Sequence, residues 1–138
     1  SDIALTKANQ FAKENQVNIQ YSLSDTDSFE WQPNTYDAAI GIFIQFADPE
    51  MRARIFNQVR QTLKPGGLFI LQGYTPKQLE YKTGGPSLIE HLYTEELIRE
   101  LTQGFEILDL QCYENELSEG ARHAGMSALL GMVAKKIN

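Results

Sequence analysis

Apolar residues recur along this chain with two different periods, and the switches between them mark its elements. In residues 2–15, Ile3, Ala4, Ala8, Phe11 and Ala12 fall at helical spacing, with Lys7, Asn9, Lys13 and Glu14 around the rest of the axis. That spacing predicts an amphipathic helix with one buried stripe. Residues 17–21 alternate apolar and polar, which predicts a short strand, and the polar Ser- and Asp-rich residues 22–34 predict a connecting loop. Residues 38–46 are apolar apart from Gln45, so their first part is expected to be a buried strand. Asp48-Pro49-Glu50 is a helix start: Asp caps, Pro sits where its missing N–H costs nothing, and Glu favours the positive end of the dipole. Met51, Ile55, Val59 and Leu63 mark the buried face of that helix.

The helix is expected to stop at Pro65-Gly66-Gly67, a turn that leads into the unbroken apolar run 68–71. Such a run reads as a strand buried on both faces. A loop of about two dozen residues follows, long enough to suspect function. Thr94 with Glu95 and Glu96 opens another helix, Leu97, Ile98 and Leu101 give its apolar side, and Gly104 ends it. Residues 105–113 and 127–135 read as strands of an antiparallel hairpin at a sheet edge. Helices alternating with strands in this order indicate an α/β fold, with helices packed on a mostly parallel sheet.

Length and composition change this picture little. The 138 residues suit a single domain spanning 1–138. A formal charge of -6 argues against bulk attraction to nucleic acid or an anionic membrane, so neither is expected as a partner. Cys112, the single cysteine, cannot form an internal disulfide, and its apolar neighbours predict a buried strand residue. With only His91 and His123 there is no zinc ligand set, and no metal is expected. His91, near a helix start, reads as structural. No apolar run reaches the ~20 residues of a membrane span, and the cytoplasm is the default compartment.

The stretch Leu63-Lys64-Pro65-Gly66-Gly67-Leu68-Phe69-Ile70-Leu71 is followed by Tyr74-Thr75-Pro76, Gln78-Leu79, Tyr81 and Thr83-Gly84-Gly85-Pro86. Together they resemble the LKPGG segment, the next strand and the substrate loop of S-adenosylmethionine-dependent class I methyltransferases, particularly the tellurite-resistance-type small-molecule subfamily. The resemblance implies a partial Rossmann-like class I methyltransferase sheet with a C-terminal antiparallel hairpin. No glycine precedes Gly41, so the family's glycine-rich cofactor loop is not among these residues. Aligned on the family, the chain starts at the second helix and spans about two thirds of the usual doubly wound domain.

The resemblance also nominates residues. Asp25-Thr26 lies where the family sets a carboxylate and a backbone N–H against adenine, with Asp27 an equal competitor. The other reading of these residues is a solvated turn whose side chains bond their own backbone. Tyr36 to Phe43 resembles the strand that ends beside the methionine part of the cofactor, which puts Ile42, Phe43 and Gln45 next to the transferred methyl. Gln45 is an uncharged hydrogen-bonding candidate where the subfamily has a His close by, and Asp37 starts the strand at the far end as a structural residue. Tyr74 and Tyr81 belong to the substrate loop, where aromatic faces suit a sulfonium; packing is the alternative for each. Glu119-Gly120-Ala121-Arg122-His123-Ala124-Gly125 matches an EG-x-x-H-x-G pattern. There His123 acts as a base or, with Arg122, holds an anion, or else the segment is a surface turn.

The function implied is methyl transfer from S-adenosylmethionine to a small-molecule acceptor. The alternatives are an inactive fragment serving as a binding or oligomerisation module, and an interaction module that uses an exposed sheet edge. No Gly-x-Ser-x-Gly elbow supports a hydrolase. Two structural expectations follow. Asp25, Phe43, Gln45, Tyr74 and His123 should share one cleft, and the unpaired edge of residues 38–43 should promote a homodimer.

Overall fold

The computed structural model describes residues 1–118 and 123–138. It divides into two compact units, Ser1–Glu30 and Trp31–Asn138. In the first, α1 (Asp2–Glu14) is capped by Ser1, whose hydroxyl accepts from the Ala4 N–H at 3.3 Å. The predicted stripe is only partly buried: Ala12 is covered, while Ile3 and Phe11 are exposed. Residues 17–21 form no strand, contrary to the alternation. A strand needs a neighbour to take its N–H and C=O groups, and this unit has no other strand. Tyr21 instead anchors the segment, its hydroxyl donating to the Ala8 carbonyl at 3.0 Å.

The second unit runs β1 (Tyr36–Ile42), α2 (Pro49–Thr62), β2 (Leu63–Tyr74), α3 (Gln78–Tyr81), a 3-10 turn (Ile89–His91), α4 (Glu95–Leu101), β3 (Phe105–Ser118) and β4 (Ala124–Lys136). The strands form one sheet in the order β1-β2-β4-β3. Only β1–β2 is parallel; β2–β4 and β4–β3 are antiparallel. The expectation of a mostly parallel sheet is therefore corrected to a mixed one. The α4 crossover does return β3 in the direction of β2, but its hairpin partner β4 fills the place between them, so the one parallel pair comes from the β1–α2–β2 crossover.

Helix α2 forms as its residues dictate: the Asp48 carboxylate accepts from the Met51 N–H at 2.8 Å and Pro49 occupies the first turn. It buries Ile55, Phe56 and Val59 and α4 buries Ile98, against Phe69 and Leu71 of β2 and Leu130, Met132 and Ala134 of β4. Phe56 meets Phe69 edge-on at 5.2 Å. On the opposite face Leu68 and Ile70 are half-buried, and Ile40 and Ile42 are exposed. Residues 68–71 are thus fully buried on one face, not two.

The Pro-Gly-Gly segment lies within β2. Tyr36 pairs with Leu63 and Ala38 with Leu68, so residues 64–67 bulge out of register, with Gly66 at φ +80°. At the same end of the sheet, Asp37 pairs with Lys64 at 2.7 Å, as expected of a structural residue. Cys112 is exposed, not buried, because β3 is the outermost strand. Among the described residues no helix is long and apolar enough to cross a membrane, and no group of His, Cys, Asp and Glu could hold a metal ion.

Candidate active site

Because β1 and β2 are parallel, their carboxyl ends open on the same side, where ligands of α/β sheets bind. Phe43 follows β1 with φ +53°, turning the chain out of the sheet while its N–H still donates to the Gln72 carbonyl. Its ring stacks on Tyr74, the last residue of β2, at 4.7 Å, and on His123 at 4.3 Å. Tyr74 Oη and His123 Nδ1 are 2.7 Å apart, with the two rings inclined by 14°. The phenol and imidazole therefore lie side by side on the Phe43 face. Gly85, at φ +83°, sits flush against Tyr74: a Cβ there would meet the ring at 2.7 Å.

Two glutamines hold this arrangement. Gln45 is buried and donates from Nε2 to the carbonyls of Tyr74 and His91, both at 2.9 Å, while its Oε1 accepts from the Tyr74 N–H at 2.6 Å. Gln78 is also buried: its Nε2 donates to Thr83 Oγ1 and the Gly84 carbonyl, and its Oε1 accepts from the Ala128 N–H. A backbone bridge between Gly84 and His123 completes the attachment of the loop to the hairpin. On the other side His91 Nδ1 lies 3.0 Å from the Gln45 carbonyl, and Arg52 donates to the Glu90 carbonyl at 2.6 Å.

The result is a cleft of about 410 Å³ with Phe43, Phe46, Tyr74, Leu88, His91 and His123 in its wall. Of the residues predicted to converge, Phe43, Gln45, Tyr74 and His123 line it. Ile42 does not; it is exposed, one residue before the chain turns. Tyr81 is also absent from the wall and donates instead to Glu114, which pairs with Lys77 as well. Lys77, followed by Tyr81, holds the Glu114 carboxyl below its usual range. Arg122 lies outside the described residues.

Asp25 and Thr26 belong to the first unit. The Asp25 carboxylate accepts from the Ser28 hydroxyl and N–H, both at 2.7 Å, and from the Asp27 N–H. These bonds, the Ser28 hydroxyl first, lower its pKa. Sequence reasoning overlooked His91, Phe46, Leu88 and Gln78 as parts of the site. The Gly-Gly-Pro loop drew attention to the segment, but nothing local links His91 to Gln45, 46 residues away.

Residues 1–67 match a family described as a methyltransferase domain. Among solved structures, the chain is similar to an S-adenosylmethionine-dependent methyltransferase from Methanosarcina mazei, with 19% identity, a TM-score of 0.68, and coverage of 88% of this chain and 68% of that one. It is similar to a putative methyltransferase from Bacillus halodurans at 14% identity and TM-score 0.74, covering 100% of this chain and 80% of that one. The fold is that of S-adenosylmethionine-dependent methyltransferases. TehB from Haemophilus influenzae shares it at 16% identity and TM-score 0.71, over 99% of this chain and 47% of TehB. This chain thus spans between 47% and 80% of the length of these structures. None of the curated proteins matches it.

In residues 1–67 and in its fold the chain resembles methyltransferases, for which S-adenosylmethionine is the expected cofactor. The cleft suits the sulfonium end of that cofactor. Its volume is in the range of small-molecule sites, aromatic faces attract a cation, and no Lys or Arg stands among its described wall residues.

Proposed function

We propose that this chain takes part in methyl transfer from S-adenosylmethionine to a small-molecule acceptor, with the cleft at the ends of β1 and β2 as the place of transfer. The observation that carries this reading is the aromatic group Phe43–Tyr74–His123 at the carboxyl ends of the one parallel pair. When bound, the cofactor supplies an electrophilic methyl group on a sulfonium. Phe43, held by the buried Tyr74 ring stacked on it, would face that cation, and exclusion of water with alignment of the acceptor would do most of the rest. Gln45 acts as a positioning residue, since its amide is committed to the Tyr74 and His91 backbone. His123 serves as a wall of the acceptor site, with Arg122 beside it in sequence.

Asp25 and Thr26 are assigned to adenine on the strength of the family resemblance alone; the bonds of the Asp25 carboxylate to Ser28 and the Asp27 N–H are those of a turn that bonds its own backbone. The tellurite-resistance-type subgroup rests on the loop and EG-x-x-H-x-G motifs. Calorimetry with S-adenosylmethionine and its demethylated product tests the reading. We expect saturable binding that Phe43→Ala weakens about tenfold, in line with loss of a desolvated cation–π contact; no heat from either ligand overturns it. A symmetric dimer through the open edge of β1 is also proposed, supported by the exposed Ile40 and Ile42.

A further inference from the structure

His91 has a fixed tautomer. Its Nδ1 lies 3.0 Å from the backbone carbonyl oxygen of Gln45, and a carbonyl can only accept. Nδ1 therefore carries the proton, and the neutral ring keeps its lone pair on Nε2. The side chain is 15% exposed and stands in the cleft wall. The Glu90 carboxylate lies 3.9 Å from Nε2, opposite in charge to the imidazolium that would form on protonation. Arg52, the nearby cation on α2, is turned to the Glu90 backbone carbonyl, and Tyr74 and His123 are the titratable groups in the same cleft wall. His123 is different: its Nδ1 meets a phenol, which can donate or accept, so its tautomer is not fixed.

We propose that His91 is the general base of this cleft, for a planar acceptor bearing an aromatic hydroxyl. This rests on the methyl-transfer reading above. The acceptor class follows from the wall. Phe43 and the exposed Phe46 offer ring faces, Tyr74 being buried between Phe43 and Gly85, Leu88 adds an apolar edge, and no Asp, Glu, Lys or Arg stands among the described wall residues to select a charged group. Imidazole matches an aromatic hydroxyl in proton affinity far better than an aliphatic one. In the step, the hydroxyl proton passes to His91 Nε2 and an oxygen electron pair forms the new C–O bond. The methyl–sulfur bond breaks with its electrons left on sulfur, and the proton later leaves His91 for water.

The test needs no turnover. Para-nitrophenol, whose phenolate absorbs at longer wavelength than the phenol, is added to the full chain at mildly acidic pH. Binding to the wild type should raise the phenolate band. His91→Asn, whose amide can still donate to the Gln45 carbonyl, should bind the probe yet lose that band by about tenfold or more, and Cys112→Ser, on the exposed face of the outermost strand and absent from the cleft wall, should retain it. Nitrogen-15 NMR of the wild type, assigned with His123→Gln, should show His91 protonated at Nδ1 and bare at Nε2, and needs no folded His91 variant. A bare Nδ1, or a phenolate band that survives in His91→Asn, overturns the base; no nitrophenol binding overturns the acceptor class. Calorimetry with S-adenosylmethionine, run separately, reports on the methyl-transfer reading itself.

Discussion

Replacing Gln45 with Leu removes the three hydrogen bonds that join the ends of β1 and β2 to the loop, while keeping a side chain of similar volume. The Tyr74 carbonyl would stay satisfied, because it also accepts from the Tyr93 N–H at 2.9 Å. The Tyr74 N–H and the His91 carbonyl would lose the amide. At about 1–3 kcal/mol for each buried group left unpaired, the loss is about 2–6 kcal/mol, offset by about 1 kcal/mol from the added apolar burial. A net cost of about 1–5 kcal/mol corresponds to roughly 3 °C per kcal/mol in a domain of this size. Urea and thermal unfolding followed by circular dichroism measure it, with an unchanged m-value showing that the two-state comparison holds. Gln45→Glu should be no better, since a carboxylate would face two carbonyl oxygens. Stability of Gln45→Leu within about 0.5 kcal/mol of wild type, the scatter of ordinary surface changes, would refute the reasoning.

Gly73→Ala should destabilise by about 1–3 kcal/mol or more in the same melts, because its Cβ would lie 2.6 Å from the Tyr93 ring and 2.8 Å from Gln45 Oε1. Lys136 is buried and donates to the Leu63 carbonyl at 2.6 Å and to Asn34 at 3.0 Å, so Lys136→Met should cost about 1–3 kcal/mol; an unchanged midpoint counts against those bonds. Burial pushes the Tyr93 phenol up to about 12 from 10.0. A raised folded-state pKa means that its contribution is complete below pH 10 and is lost as pH rises towards 12, by about 3 kcal/mol in all. Tyr93→Phe should remove that slope from an alkaline stability profile. Light scattering at micromolar concentration tests the β1-edge dimer: we expect a dimer that Ile40→Lys converts to monomer, and a wild-type monomer would end the idea.

Elements whose signals are local could be read from the sequence. Asp48-Pro49-Glu50 and Thr94 each place a cap, a dipole-matched carboxylate and an apolar period within one turn, and both helices start there. The run 68–71 and the late hairpin were legible for the same reason, as was the convergence of Phe43 and Tyr74 once two strands were taken as parallel. Strand 17–21 failed because alternation is only half of a strand; the other half is a partner, and none is beside it. The expectation of a mostly parallel sheet failed similarly, since the insertion of β4 between β2 and β3 depends on how two strands distant from β2 in the chain pack, not on any residue within them. The site divides along this line. Sequence by itself determined which rings and imidazoles were available and which loop carried them. Only the tertiary structure decided that Gln45 would spend its amide on Tyr74 and His91, that Cys112 would face outward, and that one carbonyl would set the proton of His91. The first and last are contacts across tens of residues, and the exposure of Cys112 follows from the place of its strand at the sheet edge; all are specified by the packing of the whole sheet.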